Sequence, residues 1–210
     1  IMYWERAGQH LSPEINAMMK DTVLNFKYWV DEPGDTVMYM GSENHRLLFH
    51  VAEWMAGHLY PTETFTNSGQ NGLFHAQKAY VYITEWLLQR GRFGFDEWHS
   101  NSYLPVCIAP LMNLYDFAAH EGQYKLRQMT QAVLDQGFFY LAADAFHGVW
   151  GVTHGRSYGI FVKYADFDGT GGCVWLLYGT GALNGGFNGM APVSLATSAY
   201  RPPRFFTQIA

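Results

Sequence analysis

Apolar residues recur at helical spacing in five stretches of the chain, and the polar breaks between them set the expected elements. Ser12-Pro13-Glu14 reads as a helix start, with Ser as N-cap, proline in the first turn and an acid beside it. Ile15, Met18, Met19, Val23, Phe26 and Trp29 or Val30 follow on one stripe until "DEPGD" breaks it. A second helix is predicted from about Ser42 through Leu47, Leu48, Val51, Met55 and Leu59, with Pro61 ending it. The third runs from about Asn71 to Gln89, where "RGRFGF" stops it. The fourth, from about Tyr103 to Ala119, is apolar almost all round, which predicts burial. Pro105 suits its first turn, whereas Pro110 predicts a kink or a restart. The fifth follows "AHEG" and carries Leu126, Met129, Val133, Leu134 and Phe138 on one stripe.

After about Phe146 glycine becomes frequent ("GVWGVTHGRSYG", "DGTGGC", "GTGALNGGFNG") and the segments between are short and aromatic. They read as loops with one or two short strands. The pattern predicts an all-α fold: antiparallel helical hairpins over residues 1–160, with an irregular Gly- and aromatic-rich segment, 161–210, packed on them.

Composition narrows the function classes. At 49% hydrophobic and 15% charged, the chain is neither disordered nor a coiled coil. A net charge of -5, with Lys and Arg scattered, argues against nonspecific nucleic-acid binding. No apolar run approaches the roughly 20 residues of a membrane span. No signal peptide is visible, but both ends read as cut, so the chain is expected to be a piece of a larger protein. Cys107 lies in an apolar stretch and is expected to be a buried thiol. The aromatic share is 17%, with seven Trp and 14 Tyr; part of it belongs to the core, and such rings also suit sugar-binding clefts, where they stack on pyranose faces.

Three constellations can carry chemistry. In "SENH", Ser42 caps a helix, so Glu43, Asn44 and His45 occupy a first turn whose N–H groups lack helical partners. They either complement the helix dipole or present an amide and an imidazole to an anion. "GFDEWHSNSYLPV", Gly94 to Val106, gathers Asp96, Glu97, Trp98, His99, Ser100 and Tyr103 between two helices, as a hydrogen-bonded loop or a site. "THGRSYG" offers His154, Arg156 and Tyr158 among glycines that let a ligand approach the backbone. His50, Glu53 and His58 have helical spacing that can ligate a metal, but nine His produce such spacings by chance, and no metal or other cofactor is expected.

An Asn-His pair opening a helix, followed one hairpin later by an "E-x-S-x-x-Y"-like segment, resembles the (α/α)-toroid polysaccharide lyases, the alginate lyases and heparinase II/III-like enzymes among them. The matching residues are Asn44, His45 and Tyr103, with Glu97 and Ser100, and the resemblance covers roughly residues 12 to 160. The sequence also looks like a piece of a larger bacterial group carrying "SENH", "GF-x-EWHS" and "HGRSY". Glu43 stands where the alginate-lyase motif has a second Asn; a full toroid has more helices, and 161–210 is too short for the usual β-sandwich.

The resemblance implies a secreted or periplasmic enzyme cleaving an acidic, uronate-containing polysaccharide by β-elimination. Asn44 would neutralise the carboxylate, His45 or Tyr103 would take the C5 proton, and Tyr103 would protonate the leaving oxygen. Arg156, or Arg92, would lower the phenol's pKa, and His154 would share the carboxylate or proton work. Glu97, Trp98, His99, Ser100, Arg92, Tyr158 and Trp54 are the expected substrate contacts. Two other readings remain: a glycoside hydrolase pairing Glu97 with Glu43, Glu53 or Asp116, and a non-catalytic carbohydrate-binding or scaffold module.

Overall fold

The computed structural model describes residues 11–183 and 189–210, and it is mostly helical. The glycine-rich run expected as loop at 184–188 lies outside the described residues. In order come α1 (Pro13–Asn25), α2 (Glu43–Leu59), α3 (Gly72–Phe93), α4 (Leu104–His120) and α5 (Tyr124–Ala143). A two-stranded hairpin follows, β1 (Ala145–Phe146) and β2 (Val149–Trp150), then α6 (Gly159–Lys163), α7 (Gly171–Tyr178) and α8 (Met190–Thr197). Single 3-10 turns lie at Ala165–Phe167 and Arg204–Gln208. The chain divides into two compact units, residues 1–84 and 85–210. Among the described residues, no helix is long and apolar enough to cross a membrane.

In the first unit, α1 starts as its sequence dictates: the Ser12 hydroxyl accepts from the Ile15 N–H at 3.4 Å. It stops earlier than its stripe suggests. Phe26 is already extended, and the chain then turns through Pro33 and Gly34. The reason is packing. None of α1 is buried, Met18 being 71% exposed, whereas the straightened link delivers Tyr28 and Trp29 into the core. Helix propensity alone is weak and yields to that burial. Tyr28 packs with Phe65 and Ala56, and Val23, Leu24 and Tyr60 close over them. α2 and α3 approach closely where Gly57 faces Gly72: a Cβ on Gly57 would lie 2.4 Å from the Gly72 carbonyl oxygen. The Asn71 side chain caps α3 by accepting from the Phe74 N–H at 3.0 Å. The helix runs through Gly91 and ends only at Gly94, whose φ of 77° a side chain would oppose.

In the second unit, α4 packs against α5 on one side and α8 on another. That double coverage is why its sequence is apolar nearly all round, and Leu111, Leu114 and Ala118 are fully buried. Pro110 lies inside one continuous helix rather than at a restart. Cys107 and Cys173 are both buried, and burial raises the Cys173 thiol to about 12. The expected irregular tail is more helical than its glycines suggested. Asp168 organises the start of α7, its Oδ1 accepting from the Thr170 and Gly171 N–H groups at 2.8 and 3.2 Å. β1 and β2 pair antiparallel through a two-residue turn, His147-Gly148, both at positive φ, as tight hairpins require.

Candidate functional site

Two polar concentrations stand out, one in each unit, and they differ in access to water. In the second unit the connection between α3 and α4 lies against the segment that follows β2. The Gly155 N–H donates to the Trp98 carbonyl at 2.8 Å, and His154 Nδ1 donates to the His99 carbonyl at 2.6 Å. The Ser100 hydroxyl donates to the Arg156 carbonyl at 2.8 Å, and the Ser157 hydroxyl to Asn101 Oδ1 at 2.7 Å. A Cβ on Gly155 would be a tight fit, 3.1 Å from the Trp98 carbonyl oxygen. Thus "EWHSNSY" and "THGRSYG", more than fifty residues apart in sequence, form one surface.

At its end the Tyr103 and Tyr158 hydroxyls share a short hydrogen bond. The Arg156 guanidinium lies over both rings, 5.4 and 5.6 Å from their centroids, and its Nη2 is 3.5 Å from the Tyr158 hydroxyl. The two phenols therefore differ. The hydrogen bond to Tyr103, then Arg156, lowers the pKa of Tyr158, while the same bond raises that of Tyr103. Arg156 itself is pushed up by Tyr158 and Tyr103. Tyr158 is 40% exposed, so a phenol with a lowered pKa faces solvent.

The rest of the loop is a base under that surface. Ser100 is buried as a spacer, its Oγ also accepting from the Tyr103 N–H at 3.1 Å. His99 sits at φ 48°, stacked 4.0 Å beneath Trp98, with Asp144 3.7 Å from its Nδ1. Burial lowers the His99 pKa, His154 adds to that, and Asp144 opposes it. Trp98 keeps 48% of its surface open. Glu97 is half-buried, and Arg92 is exposed in the last turn of α3.

In the first unit the residues picked from "SENH" are more enclosed than a ligand-facing turn. Asn44 is 4% exposed and its Oδ1 accepts from the Ser42 hydroxyl at 3.1 Å. His45 Nδ1 accepts from the Tyr39 N–H at 3.1 Å, and Glu43 is buried. Trp54 is fully buried against the His58 ring, so it offers no face for a sugar to stack on.

The dense polar cluster of this unit lies deeper. Glu53, fully buried, accepts from His50 at 3.2 Å, from His75 at 2.8 Å and from Lys78 at 3.0 Å. Lys78 also reaches Glu32 at 2.9 Å and Asp31 at 3.1 Å, and Glu32 Oε2 accepts the Tyr28 N–H at 2.8 Å. Burial alone would raise the Glu53 pKa, but its bonds to His50, His75 and Lys78 outweigh this and hold it at about 2. Glu32, Glu53 and His75 have ligand atoms within 4.8 Å of one another, close enough for a metal ion. The Lys78 ammonium already supplies a cation to both carboxylates, so the donor set does not require one. Of the spacing His50, Glu53 and His58, the first two meet; the His58 ring packs at a tilt against Trp54 instead.

Sequence reading found His50 and Glu53 but not Glu32, His75 or Lys78, which periodicity does not tie to Glu53. The carboxylates considered for hydrolysis are engaged. Glu53 is in this cluster, and Asp116 Oδ1 accepts from the Ser198 hydroxyl and the Ala199 N–H at 3.0 and 2.9 Å. Compared with known proteins, the chain matches no family model, no curated sequence and no solved structure.

Proposed function

We propose that the chain belongs to a polysaccharide lyase that cleaves a uronate-containing glycan by β-elimination, its helix pairs forming part of an (α/α) toroid. The observation that carries the reading is the Tyr103–Tyr158 phenol pair beneath Arg156. β-Elimination needs a base for the weakly acidic C5 proton, a cation near the uronate and an acid for the leaving oxygen. Tyr158, whose pKa is lowered, is the base; Tyr103, its donor, returns a proton to the departing 4-oxygen. The C5–H electrons form the C4–C5 double bond as the C4–O bond breaks. Arg156 stabilises both the phenolate and the sugar's carboxylate, and the open face of Trp98 offers a stacking platform. This account rests on the second unit and gives no role to Asn44, whose amide is enclosed. A polymeric acidic substrate places the protein outside the cytoplasm, secreted or periplasmic.

The test is ultraviolet absorbance of unsaturated products from alginate and glycosaminoglycans. Wild type should generate it, and Tyr158→Phe should reduce the rate about 10²- to 10⁴-fold. New reducing ends without that absorbance would support hydrolysis instead. Binding without turnover across the panel would support a carbohydrate-binding module, and either result overturns the lyase.

A further inference from the structure

At one edge of the first unit's buried cluster lies the half-buried Ser68. The turn from Phe65 to Gln70 is closed by Phe65 N–H to the Gln70 carbonyl and Gly69 N–H to the Phe65 carbonyl, both 2.8 Å. Gly69, at φ 71°, supplies the left-handed residue this turn needs. The result is that the half-buried Ser68 hydroxyl lies 2.7 Å from His75 Nε2. The other nitrogen of the same ring, Nδ1, is 2.8 Å from Glu53 Oε1.

The proton positions follow from the chain of acceptors. Glu53 is ionised at neutral pH, so it can only accept, and His75 Nδ1 must carry the hydrogen. In a neutral ring Nε2 then holds a lone pair, and the Ser68 hydroxyl donates to it. The Phe65 carbonyl, 3.4 Å from the same hydroxyl, is a poorer acceptor. His75 is fixed in this orientation by a stack on Phe65 at 4.4 Å, and Lys78 keeps Glu53 charged. A Gln70 N–H donates into Ser68 Oγ at 3.2 Å, where it would stabilise negative charge developing on that oxygen.

We propose that Ser68, His75 and Glu53 form a nucleophile–base–carboxylate relay that cleaves a carboxylic ester by acyl transfer to Ser68. The order and spacing of the three groups are those acyl transfer demands, whatever the fold. Ser68 Oγ bonds to the acyl carbon while its proton passes to His75 Nε2. The carbon–alkoxy bond breaks, and His75 returns the proton to the leaving alcohol. Water, deprotonated by His75, then cleaves the Ser68 ester, releasing the carboxylic acid and restoring the hydroxyl. Glu53 remains ionised throughout and acts as a positioning residue.

The probe is an alkyl fluorophosphonate on the whole chain near neutral pH, read by peptide mass spectrometry, alongside hydrolysis of p-nitrophenyl acetate. The expected result is an adduct on Ser68, absent in Ser68→Ala, with ester hydrolysis reduced roughly 10³- to 10⁶-fold. No adduct on Ser68 of the folded protein, or wild-type hydrolysis by Ser68→Ala, overturns the relay. His75 is buried and its replacement is expected to unfold the unit, so Ser68→Cys tests the base. Its thiol should be alkylated with a pH profile displaced from the ordinary value of about 8.5. An unshifted profile removes His75 as the base. Tyr158→Phe should leave Ser68 labelling intact, so failure of the lyase and failure of the relay are separable.

Discussion

Glu53 and Tyr158 are each held by hydrogen bonds and a cation, yet one is fully buried and the other 40% exposed. Burial changes what those contacts do. Around Glu53, carboxylate, two imidazoles and ammonium are removed from water, so losing any one leaves the others uncompensated. Around Tyr158, water replaces a lost partner at little cost, and the same interactions serve to shift a proton equilibrium on a reachable oxygen. The dry cluster should therefore govern stability and the wet one lyase turnover.

The largest test of that contrast is Glu53→Gln, expected to destabilise the first unit by about 3–5 kcal/mol because it strands Lys78 and both His. Urea unfolding measures it, and a loss below about 1 kcal/mol would break the distinction. Gly57→Ala comes next. Its methyl would press on the Gly72 carbonyl at 2.4 Å and the Ala76 amide at 2.6 Å, for an expected loss of about 1–3 kcal/mol in the same assay. The smallest stability effect belongs to Tyr158→Phe, within about 0.5 kcal/mol by thermal melting, even as turnover collapses.

Acid sharpens the comparison. Glu53 has a folded pKa of about 2 against an ordinary 4.5, so the folded state binds fewer protons. Its contribution is fully present above about pH 4.5 and is lost as pH falls through 2, roughly 3 kcal/mol in all by linkage. Stability measured across that range should fall in wild type and stay flatter in Glu53→Gln. On the alkaline side, lyase rate should rise as Tyr158 loses its proton at a pH below the usual phenol value of about 10. Arg156→Ala should move that rise upward.

Much of the helical plan was legible because burial on one face leaves a local periodic trace. The Ser12 and Ser42 caps, the position of α3 after Asn71 and the near-complete burial of α4 all follow from residues within a few turns. The end of α1 was misread because Phe26 and Trp29 continue the stripe in sequence while serving the core from an extended link. The tail concealed α7 and α8 because glycine content signals turns without saying how much helix lies between them.

The site was legible only by halves. Its loops announced themselves by composition, and Arg156 was expected to lower the pKa of the Tyr103 phenol; the bond to Tyr158 raises Tyr103 instead, and the lowered phenol is Tyr158, named only as a substrate contact, while Trp54 was chosen for its ring, which the fold buries. The relay from Ser68 through His75 to Glu53 left no trace, since its members are 7 and 22 residues apart on a turn and two helices.

What the sequence by itself determined is where helices form, which of them is buried and where chemically capable residues are dense. Tertiary structure alone decided which of those residues are dry, which phenol carries the lowered pKa and which imidazole nitrogen faces a hydroxyl. The reason is range: hydrophobic patterning acts between neighbours along a helix, whereas a side chain's partners and its solvent are set by segments that meet only when the chain has folded.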